Sequence, residues 1–336
     1  MELRDIIVVG AGPCGIGVGV AAREAGLSCL LLDKAGVAAS IGRYPTFMTF
    51  FSTADRLEIG GVPFLPAGEK PTRREALRYY QRLVTHFDLD VAQYEEVLGI
   101  APEGQRFVVR TRDRAGREIV RAAHNVVIAT GYFDHPNLLG VPGENLPKVQ
   151  HSYREGHPYF RQDVVIVGGG NSAVDAALEL DRWGARVTLV HFAPGLDPNI
   201  KPWVRPDIEG RIRSGAIGVR WRSRIAEIRP DVVIVHTEDA SGAEALPNDW
   251  VLAMTGYTPD PRLLRSLGVT IDEATGVPRH DPASMETDVH GVFIAGVIAA
   301  GNDANKVFIE NGRDHGERIV RRVLDSPPSA DIFSQE

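Results

Sequence analysis

The stretch GAGPCG, residues 10–15, places a cysteine inside a glycine-rich turn. Glycines at this spacing let the backbone approach a phosphate group, and that task does not require a thiol. A thiolate attacks disulfides, and the N-terminus of a helix favours negative charge. We therefore expect the start of the following helix to lower the pKa of Cys14 and to make it nucleophilic.

A second glycine-rich stretch, GGGNSA at 168–173, matches the first. Each stretch follows a short β-branched run and precedes a segment of small residues, which predicts a buried strand, a tight turn and a helix. The glycines free the backbone to contact a pyrophosphate, while the helix N-terminus supplies N–H donors. Because the pattern occurs twice in the same context, it predicts two dinucleotide sites.

The residue that closes the second strand of each repeat distinguishes the two sites. Asp33 lies 23 residues after Gly10, and His191 lies 23 residues after Gly168. A carboxylate at this position hydrogen-bonds the ribose hydroxyls of a nucleotide that has no 2′-phosphate. We therefore predict FAD at the first loop, and NADPH at the second.

Cations follow His191 and would attract a 2′-phosphate. They are Lys201, Arg205 and Arg211. Ordinary solvated loop charges are the alternative interpretation of Lys201 and Arg205. With both cofactors bound, hydride would pass from the nicotinamide to the flavin.

The predicted cofactor-binding residues lie in the two loops, at the ends of nearby strands, after the first strand–helix–strand unit and near the C-terminus. They are Gly10, Gly12, Pro13, Gly15, Asp33, Lys34, Tyr44, Thr46, Thr49, Ala129, Thr130, Gly131, Gly168, Gly170, Asn171, Ser172, Ala173, His191, Lys201, Arg205, Gly256, Gly296, Asn305 and Val307. Turn and core roles remain open for those between 44 and 49. No residue spacing typical of a metal site is present.

The remaining elements continue the repeat. Hairpins are predicted at 107–120 and 229–246, each leading to a strand that ends in Thr-Gly-Tyr. A last strand at 291–296 and a helix near 305–324 follow, and the start of that helix could direct its positive end at the flavin. The pattern predicts an α/β fold with two nested Rossmann-type domains, an FAD domain at 1–150 and 258–336 and an NADPH domain at 151–257.

Composition fits a globular protein with a sizeable core. The 336 residues are 43% apolar and 24% charged, and the net charge of −7 argues against a nucleic-acid or anionic-membrane partner. No signal segment or membrane-spanning run is predicted, and two cysteines cannot build a disulfide framework. We therefore expect a cytoplasmic protein.

The motifs together resemble the thioredoxin-reductase-like flavoproteins and, more closely, the bacillithiol-disulfide reductase family. The resemblance spans nearly the whole chain and is carried by GAGPCG and by the segments 43–64, 70–80, 168–180, 201–212 and 307–316. It implies an FAD- and NADPH-dependent enzyme that regenerates bacillithiol from its disulfide, in a chain that forms a dimer or larger homo-oligomer. It also implies that Cys14 acts in catalysis. No C-x-x-C occurs, which excludes an internal dithiol.

The chain departs from the wider superfamily at residues 295–297, which read AGV where A-G-D is usual. Asn302 or Asp303 could replace the missing acid at the ribityl chain of the flavin. Cys29 lies in a predicted strand and is expected to be a buried apolar residue. The histidines 151, 157, 290 and 315 are candidate proton donors or ordinary hydrogen-bonded side chains.

Other interpretations remain open at this point. Cys14 also fits a small packing residue before the third glycine. The second loop resembles that of flavin monooxygenases, although the F-x-G-x-x-x-H signature is absent. A ferredoxin–NADP reductase would need no thiol, and a non-catalytic redox module would bind both nucleotides without rapid flavin reduction.

Overall fold

The structure is a computed structural model that describes residues 2–238, 242–303 and 306–325. Its strands are β1 (Leu3–Val9), β2 (Cys29–Asp33), β3 (Asp90–Gln93), β4 (Glu95–Glu103), β5 (Arg106–Asp113), β6 (Glu118–Ile128), β7 (Val149–Gln150), β8 (Asp163–Val167), β9 (Arg186–Val190), β10 (Ile217–Arg220), β11 (Ser223–Ile228), β12 (Val232–Thr237), β13 (Ala243–Pro247), β14 (Trp250–Ala253) and β15 (Val292–Ile294).

The helices alternate with these strands, as a doubly wound fold requires. They are α1 (Pro13–Glu24), α2 (Ala39–Gly42), α3 (Arg73–His86), α4 (Asn171–Arg182), α5 (Arg205–Arg213), α6 (Arg262–Ser266), α7 (Ile309–Gly312) and α8 (His315–Asp325). Across the described residues, no helix is both long enough and apolar enough to cross a bilayer.

The chain forms two compact units. The first contains residues up to 42, 47–135 and those from 257 onward, and the second contains 43–46 and 136–256. The predicted domain boundaries at 150 and 257 remain a prediction. The units change earlier along the chain, after residue 135. The residues that follow already bind the second unit, since the Asn137 N–H donates to the carbonyl of Gly256 and the Ile228 N–H donates to the carbonyl of Pro142.

The first unit is built on parallel strands in the order β3–β2–β1–β6–β15. The N-terminal half of β6 pairs antiparallel with β5, and β5 pairs antiparallel with β4. The apolar residues of β1 from Ile6 to Val9 are buried, as expected for a strand covered on both faces. The first glycine loop lies at the carboxyl end of β1, between this strand and α1.

Glycines bring α1 close to its neighbours. A Cβ on Gly19 would lie 2.8 Å from Leu31 Cδ1 in β2, and a Cβ on Gly316 in α8 would lie 2.4 Å from the carbonyl oxygen of Gly17. Because any larger side chain would push these elements apart, the small residues predicted from the sequence set the distance of α1 from both the sheet and α8.

The second unit contains a parallel sheet in the order β10–β9–β8–β14–β7 and an antiparallel sheet in the order β11–β12–β13. The second glycine loop joins β8 to α4. Valines, isoleucines and leucines of β8, β9 and β14 fill the cores on either side of the parallel sheet. The loop therefore has the same place in its sheet as the first loop has in the sheet of the first unit.

Both predicted hairpins are present, but each belongs to a three-stranded antiparallel layer. The additional strands, β4 and β11, were not predicted from the sequence. The predicted C-terminal helix near 305–324 is wrong at its start. Within the described residues, the turn α7 ends at Gly312 and the long helix α8 begins at His315.

Candidate functional site

The first glycine loop is shaped by two contacts that exclude a side chain. Gly10 has a φ of +116°, and a Cβ there would lie 2.3 Å from the carbonyl oxygen of Ala129. A Cβ on Gly15 would lie 2.0 Å from the carbonyl oxygen of Gly10. Gly12, in contrast, has no heavy atom within 4 Å of its Cβ position, so this side of the loop is open at the helix N-terminus. A pyrophosphate fits this arrangement.

Asp33 holds the open loop in place. Its Oδ2 accepts a hydrogen bond from the Ala11 N–H at 2.8 Å, and its Oδ1 accepts one from the Ala35 N–H at 2.8 Å. A carboxylate has about four acceptor positions, so ribose hydroxyls can still bind. The predicted residue beside it, Lys34, forms an ion pair with Asp134 at 2.9 Å.

Cys14 lies in the first turn of α1, and its Sγ is directed at two glycines. A Cβ on Gly296 would lie 3.0 Å from this sulfur, and a Cβ on Gly312 would lie 2.9 Å from it. Burial, with a smaller contribution from the Glu310 carboxylate, raises the pKa of Cys14 to about 12. The lowered pKa predicted from the helix N-terminus was therefore wrong, because desolvation outweighs the dipole.

Two polar contacts beside Cys14 were not predicted. The Ser52 hydroxyl donates a hydrogen bond to Glu310 in α7. The Gly296 N–H donates to Nδ1 of buried His315 at 3.1 Å. Burial lowers the pKa of His315 to about 4, so the imidazole is neutral at pH 7 and accepts this bond instead of supplying a proton. The sequence indicated His315 as a candidate proton donor or an ordinary hydrogen-bonded side chain, and the structure supports the second interpretation.

The residues predicted to contact the flavin after the first strand–helix–strand unit are divided between the two units. Tyr44 and Thr46 belong to the second unit, where the Thr46 N–H donates to the carbonyl of Arg154 at 2.9 Å. Thr49 belongs to the first unit and bridges to Thr72 just before α3. The structure therefore does not place these three residues in one compact unit.

The predicted residues Ala129, Thr130 and Gly131 follow β6 directly and are half-buried. The Ala129 N–H donates to the Val9 carbonyl at 2.8 Å, which places this segment beside the first loop. Val307 contacts the Cβ position of Gly312, next to Cys14. Asn305 lies outside the described residues.

The two candidates for the missing acid have other contacts. The side chain of Asn302 packs against Gly276, whose Cβ position is 2.6 Å from its Oδ1. Asp303 forms an ion pair with Lys306 at 3.6 Å.

The second glycine loop has a different shape. Gly168 has a φ of +138°, and a Cβ there would lie 2.5 Å from the carbonyl oxygen of Met254. The position equivalent to Gly15 is Ala173, whose methyl group is tolerated. His191 is buried with its ring under Gly169, where a Cβ would lie 2.5 Å from the imidazole. Desolvation lowers the pKa of His191, so this residue presents no positive charge to a nucleotide at neutral pH.

The loop after β9 folds onto the second glycine loop. The Asp197 N–H donates to the carbonyl of Gly169 at 3.1 Å, and its Oδ2 lies 3.0 Å from the Cβ position of Gly170. Asn171 donates to the Asn199 carbonyl at 3.0 Å, and its own Oδ1 accepts from the Lys201 N–H at 3.0 Å. The carboxylate of Asp197 thus lies beside the N-terminus of α4.

Lys201 and Arg205 hold this loop in place. Lys201 Nζ lies 2.7 Å from Asp175 Oδ2 in α4. Arg205 donates to the carbonyl of Asp197 at 2.8 Å. Both predicted cations therefore have protein partners. Ser172, another predicted residue, is exposed at the start of α4.

Gly256, the last predicted position, has a φ of +83° after β14, and its carbonyl accepts a hydrogen bond from the Asn137 N–H at 3.0 Å.

The comparisons with known proteins agree with these observations. A family model described as "Pyridine nucleotide-disulphide oxidoreductase" matches residues 7–296. A Bacillus subtilis protein named bacilliredoxin reductase Bdr is 44% identical over 324 residues, which cover 96% of this chain and 98% of the relative. The solved bacillithiol disulfide reductase Bdr of Bacillus cereus is 42% identical, with a TM-score of 0.94 over 96% of this chain and 99% of that one.

A thioredoxin reductase of T. acidophilum shares the fold alone, with 21% identity and a TM-score of 0.76 over 97% of this chain and 99% of that one. The predicted fold class, α/β and thioredoxin-reductase-like, is confirmed. The predicted cofactors, FAD and NADPH, are those of this family, and the two loops fit them. The chain is an oxidoreductase and belongs to the pyridine nucleotide-disulphide oxidoreductase family.

Proposed function

We propose that this enzyme uses NADPH to reduce bacillithiol disulfide, with FAD at the first loop, NADPH at the second, and Cys14 as its single active-site thiol. The substrate is the one that the name of the Bacillus cereus protein specifies, and this chain is 42% identical to that protein. The observation that carries the role of Cys14 is its position. Its sulfur sits in the first turn of α1, two residues from the open face of Gly12, in a space kept free by two glycines.

The overall reaction consumes one NADPH, one proton and one disulfide, and it yields NADP⁺ and two bacillithiol molecules. Bound FAD supplies the electron pair that it receives from NADPH. On the first loop, Asp33 and the N–H groups at the start of α1 would hold the nucleotide part of this cofactor. Cys14 would be the residue that reacts with the substrate disulfide.

Cys14 divides the reduction into two exchanges. Its sulfur attacks one sulfur of the substrate, which forms a mixed disulfide and releases the first bacillithiol. The electron pair then cleaves the mixed disulfide, so that Cys14 returns to the thiol state and the second bacillithiol leaves with a proton. Because the raised pKa keeps Cys14 protonated at neutral pH, its proton must leave during the attack and not before it.

We further propose a cytoplasmic enzyme that acts as a homo-oligomer and binds neither nucleic acid nor membrane. The two cysteines are both free, as a reducing compartment would keep them. The net charge of −7 disfavours a polyanionic partner.

The first test is NADPH oxidation by the FAD-loaded enzyme with bacillithiol disulfide, compared with glutathione disulfide, with oxygen and with a bacilliredoxin in mixed disulfide with bacillithiol. We expect turnover with bacillithiol disulfide that falls at least 100-fold in Cys14→Ala, while NADPH still reduces the flavin. The matched control is Cys29→Ser, because Cys29 is the other free thiol and its pKa is also raised to about 12 by burial.

Equal turnover in wild type and Cys14→Ala would make Cys14 a packing residue and would favour an electron-transfer flavoprotein. If turnover occurs only with the bacilliredoxin mixed disulfide, the substrate is that protein and not free bacillithiol disulfide. This outcome would be in line with the name of the Bacillus subtilis relative. Oxygen uptake coupled to NADPH oxidation would instead favour a monooxygenase.

A further inference from the structure

The cations expected to meet the 2′-phosphate of NADPH are engaged in the protein. Lys201 pairs with Asp175, and Arg205 binds the carbonyls of its own loop. Arg211 binds Asp207 at 3.0 Å in α5. His191 is neutral and buried under the glycine loop. We therefore consider cations on other elements of the second unit that no carboxylate neutralises.

The start of β11 lies beside the residues that follow β9. The Ser223 N–H donates to the carbonyl of His191 at 2.9 Å, and the Arg222 N–H donates to the carbonyl of Ala193 at 3.0 Å. Burial alternates along this part of β11, so that Arg224 faces solvent while its neighbours Ser223 and Ile225 are buried. The hydrogen bonds thus place Arg224 next to the position where a ribose-binding residue is expected.

Arg224 has an aromatic support at this position. Its guanidinium carbon lies 5.0 Å from the ring centroid of Phe192, the residue directly after His191. Phe192 is 57% exposed, so this pair of side chains lies at the surface of the second unit. In the part of the chain that the structure describes, Arg224 forms no ion pair with a carboxylate, whereas Arg220 in β10 is paired with Glu244 at 2.7 Å.

We propose that Arg224, held on the ring of Phe192, binds the 2′-phosphate and makes the second loop selective for NADPH. A guanidinium is planar and presents N–H groups in a fork that matches phosphate oxygens. Contact with an aromatic face fixes its orientation without neutralising its charge. This inference rests on the proposed function, because it assumes that the second loop binds NADPH.

The test measures binding to the FAD-loaded enzyme by calorimetry with two fragments, 2′,5′-ADP and 5′-AMP. Wild type should bind 2′,5′-ADP at least 10-fold more tightly than 5′-AMP. In Arg224→Gln, affinity for 2′,5′-ADP should fall about 10-fold or more, with 5′-AMP unchanged, as expected for the loss of one charge-assisted phosphate contact. Arg224→Lys keeps the charge without the fork and should give an intermediate preference.

The matched control is Arg229→Gln, since Arg229 follows the other end of β11 and pairs with Glu227. It should retain the wild-type preference. Full preference in Arg224→Gln would overturn the assignment, and so would an equal loss of affinity for both fragments. Thermal unfolding of each variant checks that the fold is intact.

Flavin reduction separates this inference from the proposed function. In stopped flow, the Kd for NADPH should rise in Arg224→Gln while the Kd for NADH stays the same. If NADPH reduces wild type and Arg224→Gln with the same Kd, the assignment of Arg224 fails and the proposed function stands. If NADPH reduces the flavin of neither protein, the proposed function itself fails, and the inference fails with it.

Discussion

The two glycine loops have the same place in their sheets, and they differ in how closely the helix approaches the turn. In the first loop, a Cβ on Gly15 would lie 2.0 Å from the carbonyl oxygen of Gly10. In the second, Ala173 occupies the equivalent position with its methyl group present. The residue at the third glycine position of the motif, Gly15 or Ala173, thus depends on the distance between the helix and the turn. Glycine is required there only when the helix is very close.

The loops also differ in what lies over them. The first is tied to β2 by Asp33, whose carboxylate accepts N–H groups from Ala11 and Ala35 and leaves Gly12 open. The second lies on the ring of His191 and faces the carboxylate of Asp197. The first loop is open at Gly12, whereas a carboxylate lies beside the second loop at Gly170. This comparison predicts different costs for substitutions at matched positions.

The largest effect on stability and FAD binding is expected at the third glycine position of the motif. Gly15→Ala should lower the free energy of unfolding by roughly 3 kcal/mol or more and abolish FAD retention, because the methyl group meets backbone that cannot rotate away. The reverse change, Ala173→Gly, should cost only about 1 kcal/mol, as for glycine in any helix. Urea unfolding and the flavin absorbance of the purified proteins measure both quantities.

Gly12→Ala is the control for this pair, because nothing lies within 4 Å of its Cβ position. It should leave the stability of the FAD-free protein nearly unchanged and weaken FAD binding. Equal destabilisation by Gly15→Ala and Ala173→Gly would contradict the difference between the loops.

A smaller effect is expected at the residue that closes the second strand. Asp33→Asn replaces one acceptor by an N–H₂ group that faces a backbone donor, which should cost about 1–3 kcal/mol in FAD binding. His191→Asn, the equivalent change in the second unit, should leave the Kd for FAD unchanged. Fluorescence titration of the FAD-free proteins gives both values, and loss of FAD affinity in the His191 variant would refute the assignment of FAD to the first loop.

The smallest effect concerns the acid sensitivity of the first unit. The pKa of His315 is about 4 in the folded protein because of burial, and Arg318 and His280 add to the effect of burial while Asp314 opposes it. Below about pH 6.5, the unfolded chain therefore binds more protons at this histidine than the folded chain does. The contribution of this histidine to the free energy of unfolding is fully retained above pH 6.5 and decreases as the pH falls toward 4. Between pH 7 and 5.5 the loss should be about 1 kcal/mol.

His315→Asn keeps an acceptor for the Gly296 N–H and removes the titration, so its unfolding free energy should fall less over this interval. His290→Asn is the control, because His290 is an exposed partner of Glu286. Urea unfolding at the two pH values provides the measurement. The same pH dependence in wild type and His315→Asn would mean that His315 does not titrate as the structure indicates.

Much of the fold follows from local sequence signals. The spacing of Gly10, Gly12 and Gly15 predicted the loop, the segment of small residues after it predicted the helix α1, and two hairpins were placed correctly. The signals were weaker for β4, which contains Gly99 and Pro102, so its alternation of apolar residues is interrupted. The start of α8 was missed because the break at residues 313–314 contains neither glycine nor proline.

The sequence by itself determined which residues can approach a phosphate, because glycine spacing and strand ends are properties of a short stretch of chain. Only the tertiary structure decided which charges and thiols are free to act. Lys201 is paired with Asp175, 26 residues away, and Arg224 reaches the end of β9 from β11. Cys14 has its pKa raised by burial against Gly296 and Gly312. Desolvation and ion pairing depend on residues distant in sequence, and these long-range contacts form only when the chain folds.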